Sequence, residues 1–302
     1  MLVSIILFFF TSSINCFGQV LTHNNLKIGF FNELYYSYDS DKPQNHEKFG
    51  LISNYKKHNE INTNLLLLNF EYDDSNFVAR GGIMTGNYPY YNLANQPDLL
   101  RIIYEANILY RLSKRRDIGL QVGIMPSHIG FESVIAHDNF TLSRSLMAEN
   151  SPYYETGVKF YGSNKLKNLF IAGLLLNGWQ TIAMPYGIQS PSLGFQITLK
   201  ESHNIELNYS NFWGYIFRDS LLRRRVYHNF YSRYSIKSFD LLAGFDYGID
   251  LTNHQIPQNW WTFGFLVRKK ILIRNAVALR LEYFNDHHKV IESNPLLVPF
   301  KS

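Results

Sequence analysis

The feature that most constrains this chain is a strict alternation of apolar and polar side chains, repeated in short segments along its length. In Ile102–Leu112, the residues Ile102, Tyr104, Ala106, Ile108, Tyr110 and Leu112 share one face, and Ile103, Glu105, Asn107, Leu109 and Arg111 share the other. Alternation at period two belongs to a pleated strand, whose successive side chains point to opposite faces. Phe239–Ile249 sets Phe239, Leu241, Ala243, Phe245, Tyr247 and Ile249 against Asp240, Gly244, Asp246 and Gly248. Ile118–Ile124, Ile205–Trp213 and Val277–Tyr283 repeat the pattern. Weaker segments are Lys27–Tyr38, Ile61–Tyr72, Phe77–Thr85, Tyr154–Tyr161, Leu169–Asn177, Leu193–Leu199, Val226–Ile236 and Trp261–Lys269. Around Leu65–Leu68 and Leu174–Leu176 both faces are apolar, so the pattern leaves those registers open. Most segments have about the 9–11 residues that a tilted strand needs to cross a bilayer.

Composition narrows the classes. Of 302 residues 46% are hydrophobic, yet mean hydropathy is slightly negative, which excludes a bundle of apolar membrane helices. The 23 Phe and 21 Tyr suit half-buried pleated surfaces and water–lipid boundaries. A net charge of +5, scattered along the chain, excludes a dominant basic surface for nucleic acid. The basic runs Lys114–Arg116, Arg223–Arg225 and Arg268–Lys270 read as solvated turns or loops near strand ends.

The N-terminus reads as an export signal. Leu2–Phe10 is nearly all apolar, too short to span a bilayer, and Cys16 and Gly18 place small residues where a signal peptidase cuts. Residues 1–18 are therefore expected to be cleaved, leaving residues 19–302 as the barrel. Cys16, the only cysteine, would leave with the signal, and Ser13-Ile14-Asn15 before it is a poor lipoprotein pattern. Disulfides and Cys-ligated metals are then outside the design.

Connections alternate in length. Ser113–Asp117 and Gly162–Asn168 read as tight turns, whereas Asp39–Asn59, Gly86–Leu99, Pro126–Pro152 and Arg218–Arg225 read as long loops. Short turns at one rim and long loops at the other characterise bacterial barrels. Gly81, Gly119, Gly123, Gly157, Gly244 and Gly264 are assigned to the polar faces, where glycine leaves room for water or a plug. A soluble sandwich would also alternate, but its strands average five or six residues. The fold expectation is all-β: a transmembrane antiparallel up-and-down barrel of about 14 strands.

Pro126–Lys159, reading PSHIGFESVIAHDNFTLSRSLMAENSPYYETGVK, resembles the signature stretch of the β-barrel porin-2, OmpL-like family of bacterial outer-membrane proteins. Arg80–Tyr88, Ile103–Ala106, Leu176–Gln180 and Leu207–Ser210 add to the resemblance, which covers about residues 26 to 292. It implies an outer-membrane, porin-like barrel in a Gram-negative bacterium, inserted by the barrel-assembly machinery. Thirteen strands are legible where single-chain bacterial barrels have an even number. Residues 292–302 hold two prolines and make a poor strand, so the barrel reads as C-terminally incomplete or closed by an atypical strand.

Pro126–Pro152 is the strongest functional candidate, because it is too polar for lipid and too long for a hairpin turn. Folded into the lumen, it would set a constriction with His128, Glu132, His137, Asp138, Arg144, Glu149 and Asn150. The opposing reading is a surface loop. Alternation assigns Arg80, Glu105, Arg111, Lys159, Asp240, Asp246 and Arg280 to the lumen, since a basic side chain facing lipid at the midplane costs about 2–4 kcal/mol. No cofactor is implied. His128, Glu132 and His137, or Asp286, His287 and His288, lack a metal-binding spacing. Ser127, Ser143 and Ser145 beside His128 and His137 give an enzyme reading, but no Gly-x-Ser-x-Gly elbow is present. The leading expectation is passive diffusion of small hydrophilic solutes or ions, with outer-membrane lipid as the surround. The alternatives are a closed structural or surface-binding barrel and, more remotely, an outer-membrane hydrolase. Oligomeric state stays open.

Overall fold

The computed structural model describes residues 15–16, 21–48, 52–113, 117–202, 204–218, 221–251, 256–272 and 275–291. Two short edge strands, β1 (Asn15–Cys16) and β2 (Leu21–His23), precede thirteen long ones. These are β3 (Leu26–Tyr36), β4 (Ile61–Asp73), β5 (Phe77–Thr85), β6 (Ile103–Ser113), β7 (Ile118–Pro126), β8 (Tyr154–Ser163) and β9 (Leu169–Leu176). They continue with β10 (Ser192–Ser202), β11 (Ile205–Arg218), β12 (Leu221–Ile236), β13 (Phe239–Leu251), β14 (Gln258–Leu272) and β15 (Asn275–Asn285). Every segment that the alternation marks becomes a strand. Each long strand pairs antiparallel with its sequence neighbours, giving an up-and-down sheet with fourteen strands along one path and β2 beside β3. Among the described residues no pairing joins β15 to the first strands. Of the expected signal 1–18, only Asn15–Cys16 lies among the described residues, paired with Glu33 and Asn32. Residues 292–302 and Lys114–Arg116 lie outside them.

The two faces of the sheet are inverted relative to a soluble protein. On β6, Ile108, Tyr110 and Leu112 are about half exposed, while Glu105 and Asn107 are 8% and 5% exposed. On β13, Asp240, Asp246 and Asp250 are buried while Phe239 and Phe245 are exposed. The same inversion recurs on β11 and β12, with Asn208, Ser210 and Asn229 buried and Leu207, Trp213 and Phe230 exposed. Polar side chains inside and aliphatic side chains outside describe a protein whose solvent is lipid. Phenylalanines such as Phe30, Phe230 and Phe245 fill the middle of the outer face, and further aromatics mark both of its ends. Trp213, Trp261 and Tyr283 lie toward the long-loop rim, and Tyr72, Phe77, Tyr110, Tyr234 and Phe239 toward the short-turn rim. That is the arrangement of interfacial girdles.

The open registers resolve through irregular pairing and packing. The pairing slips between Glu33 and Leu34, which face Leu65 and Thr63, so Asn64 is the extra residue on β4 and both Asn64 and Leu65 are buried. Leu67, Leu174 and Leu176 point inward, and Leu68 and Leu175 outward.

Three expectations change. Gly81 faces outward, beneath the ring of its cross-strand partner Phe70, where a Cβ would lie 2.3 Å from Cζ. Arg218–Arg225 is no loop, because β11 runs to Arg218, β12 starts at Leu221 and those two residues pair. The run Arg223–Arg225 is therefore strand, with Arg223 and Arg225 buried rather than solvated, and the run Arg268–Lys270 likewise lies within β14. A long connection also lies between β9 and β10, at residues 177–191.

Candidate functional site

The connection between β7 and β8, residues 127–153, packs against the inward face of the sheet over most of its circuit. At its start, His128 is buried with Nδ1 2.8 Å and 2.9 Å from the two carboxylate oxygens of Glu155 on β8. Its Nε2 lies 2.7 Å from the carbonyl of Asn211 on β11. The Gly130 amide donates to Asn229 Oδ1 on β12, and Phe131 meets Tyr231 edge to face. Further on, Phe140 lies under two guanidiniums, those of Arg268 on β14 at 4.2 Å and Arg233 on β12 at 5.5 Å. Arg280 on β15 donates to Thr141 Oγ1 at 2.7 Å and to the Ser143 carbonyl. The Leu146 amide, opening the short helix α1 (Leu146–Glu149), donates to Glu282 of β15 at 2.6 Å.

Glycine makes room for this segment. A Cβ on Gly244 would lie 2.8 Å from Met147 Cε and one on Gly264 3.2 Å from its Sδ, and these two glycines face each other across β13 and β14. A Cβ on Gly194 would lie 2.8 Å from the His128 ring.

The expected constriction residues divide. Arg144 is 2% exposed and donates to the carbonyls of Val134 and Leu142. Glu132 accepts the amide and hydroxyl of Ser145 through Oε2, and its Oε1 is buried without a partner among the described residues. Glu149 accepts from the Ser53 amide and the Asn54 side chain, tying the segment to the β3–β4 loop. Asn150 caps the helix by donating to the Leu146 carbonyl. His137 and Asp138 are exposed, in a short 3-10 turn.

The seven residues assigned to the lumen all have inward parity, and most are paired. Arg80 with Lys27 holds Glu71. Arg111 reaches Asp73 at 2.8 Å and the Asp74 carbonyl, bracing the β4–β5 turn. Glu105 accepts from Asn107. Asp240 is held by Arg268 and Lys270, Asp246 by Asn229 at 2.6 Å, and Arg280 by Glu282 at 2.7 Å. Lys159 has an aromatic face, Phe170, 5.6 Å below its ammonium, and no ion pair among the described residues.

Sequence reasoning missed Glu155, Met147, Phe140 and the Arg225–Asp250 pair. Glu155 was legible by parity, two residues before Gly157 on the inward face of β8. Phe140 and Met147 carried no local signal, since their partners lie on strands about a hundred residues away.

The family model described as "Putative beta-barrel porin-2, OmpL-like" matches residues 25–300. The structure is similar to the outer membrane channel DcaP of Acinetobacter baumannii at 14% identity, over 88% of this chain and 81% of that chain, with a TM-score of 0.49. It is also similar to in-vitro folded OmpT, an outer membrane protein of Vibrio cholerae, at 9% identity over 88% and 89% of the two chains, with a TM-score of 0.43. No curated protein matches the sequence.

Proposed function

The chain belongs to the β-barrel porin-2, OmpL-like family, and from that premise we propose that it is a porin-like channel for passive diffusion of small hydrophilic solutes or ions across the bacterial outer membrane. The observation that carries the reading is the inverted sheet. Its polar face is turned inward, and a polar, arginine-bearing segment is laid across that face where a pore would be narrowed. In this reading Glu132, Arg144 and Glu149 hold the shape of the constriction, His137 and Asp138 face solvent, Arg80 and Lys159 line the lumen, and Glu105 lines it nearer the long-loop rim. Export through residues 1–18 and insertion by the assembly machinery belong to the same proposal.

Catalysis is not part of it. Both nitrogens of His128 are engaged, by Glu155 and by the Asn211 carbonyl. The Ser127 hydroxyl donates to Glu155 at 3.1 Å instead of to an imidazole. Ser145 bonds Glu132 and caps a helix, and Ser143 bonds Arg280.

One observation favours a second reading, a closed barrel. Of the segment's apolar side chains, Ile129 is buried in a cluster with the wall residues Leu174, Phe212 and Trp260, Val134 and Ala148 in another with Leu65, Leu67 and Ile124, and Met147 is buried over Gly244 and Gly264. Full-length protein in planar bilayers separates the two readings. A channel gives discrete conductance steps and swells liposomes in small sugars, and silence in both assays at verified insertion leaves the closed barrel.

A further inference from the structure

Three inward-facing arginines lie under one stretch of the β7–β8 segment. The pairing register places Arg233, Leu242, Leu266 and Arg280 on a single rung across β12, β13, β14 and β15. Three interstrand spacings separate the ends of that rung, about 14 Å of backbone. Arg268 projects from the next inward position of β14 toward the short turns, opposite Asp240. With Lys270 and Lys200 the group holds five cations against three wall carboxylates, Asp240, Glu282 and Glu206, and Glu132 of the covering segment lies near Arg280 and Glu282.

The segment residues that touch the three arginines are neutral. Phe140 lays its ring against Arg233 and Arg268. Thr141 Oγ1 and the Ser143 carbonyl and hydroxyl accept from Arg280. Arg233 has no ion pair among the described residues, and its Nε is buried without a hydrogen-bond partner. Glu206, opposite it on β11, is engaged by Lys200 at 3.3 Å and by the Tyr231 hydroxyl. A guanidinium gains most from a bidentate anionic oxygen pair. Here Arg268 and Arg280 each hold one carboxylate, and their remaining surface, with that of Arg233, meets an aromatic face, a hydroxyl and a carbonyl, which are weaker partners than an anionic oxygen.

We propose that Arg233, Arg268 and Arg280 form an anion-binding lane for solutes bearing a carboxylate or phosphate, and that residues 140–143 occupy it as a built-in competitor that such a solute displaces. This deepens the channel reading and rests on it for the direction of transport, though not for the binding itself.

The test uses full-length protein carrying Leu142→Cys in a Cys16→Ser background, probed with a maleimide in inorganic phosphate or in sodium chloride of matched ionic strength. Phosphate is expected to raise the labelling rate several-fold, and Arg233→Gln with Arg280→Gln to abolish the rise. Phe140→Ala keeps all three guanidiniums, covers the case of a misfolded Gln variant, and is expected to raise labelling without phosphate and to lower the phosphate concentration needed. Labelling unmoved by phosphate, or moved equally with and without the arginines, overturns the lane. In bilayers under a potassium chloride gradient, the reversal potential is expected to report anion preference, with phosphate reducing chloride current. Electrical silence with the labelling response intact removes the channel and leaves the lane. Conductance without any phosphate effect on labelling removes the lane and leaves the channel.

Discussion

Gly244 lies directly beneath Met147, so that a Cβ there would come within 2.8 Å of the thioether's terminal methyl and 3.0 Å of its sulfur. The gap in the β13–β14 wall is thus the seat of the inserted segment. Gly244→Val is expected to push Met147 out of that seat, at an overpacking cost of about 1–3 kcal/mol. Single-channel conductance should rise, and protease should cut within residues 127–153 sooner than in the parent. Met147→Ala, which empties the seat without crowding it, should loosen the segment in the same direction. Unchanged conductance and unchanged proteolysis in both variants would show that the segment is held elsewhere.

The His128 ring is fastened at both nitrogens, to Glu155 on β8 and to the Asn211 carbonyl on β11, and both neighbours present acceptors. Ring and carboxylate therefore share a charge-assisted contact out of water. Removing the carboxylate leaves a buried ring nitrogen without its partner, at a cost of about 1–3 kcal/mol. Glu155→Ala should lower the temperature at which the folded band is lost in a heat-modifiability gel. The double variant Glu155→Ala with His128→Phe should recover part of that loss. A double variant no better than the single one would argue against an unpaired imidazole as the cause.

The strands were legible because alternation is local, and each long segment carries its own proof in six or seven consecutive side chains. What sequence could not reveal is where long-range partners meet. His128 and Asn211 are 83 residues apart, and Leu146 and Glu282 are 136 apart. Nothing in Leu65–Leu68 announces the slipped pairing that buries both Asn64 and Leu65. Gly81 was misread for a related reason, since its parity places it with the outward Ile83, and a neighbour's ring supplies the missing side chain. The candidate residues of the β7–β8 segment were found as a set from loop length and polarity. Their roles depended on the wall residues opposite.

In the β3–β4 loop, burial pushes the Lys48 ammonium down to about 8, with Asp39 and Glu149 opposing and Lys56 adding to the shift. A lysine whose folded value is depressed binds its proton less tightly in the folded state, so rising pH favours the folded loop. The gain accrues between pH 8 and the unfolded value of about 10.4, and below pH 8 the penalty is present in full. Amide exchange of residues 52–57 should therefore slow on raising the pH from 8 to 10, after correction for intrinsic rates. Lys48→Met should show the slower exchange already at pH 7 and lose the dependence. Identical corrected profiles for the two proteins would remove Lys48 from the account.

Arg225 and Asp250 close a bidentate pair at 2.8 Å and 2.8 Å on the inward faces of β12 and β13, with side-chain exposures of 6% and 0%. The guanidinium lies between Trp179, 4.9 Å away on the β9–β10 loop, and Trp260, 4.7 Å away on β14. The pair thus joins two wall strands and pins a long loop over them, which explains why Arg225 is buried on the inward face while its neighbour Arg224 is exposed. Lysine offers one point charge and no planar face, so Arg225→Lys forfeits the second hydrogen bond and both stacking contacts while keeping the charge. Asp250→Ala strands the guanidinium and should destabilise by about 3–5 kcal/mol, whereas Arg225→Lys should cost less and act mainly on the loop. Trp179 fluorescence, read in a background with Trp213, Trp260 and Trp261 each replaced by Phe, reports the loop directly. Arg225→Lys should red-shift it while the heat-modifiable band stays close to that background's, and a blue shift or no shift would sink the claim that this pair holds the β9–β10 loop.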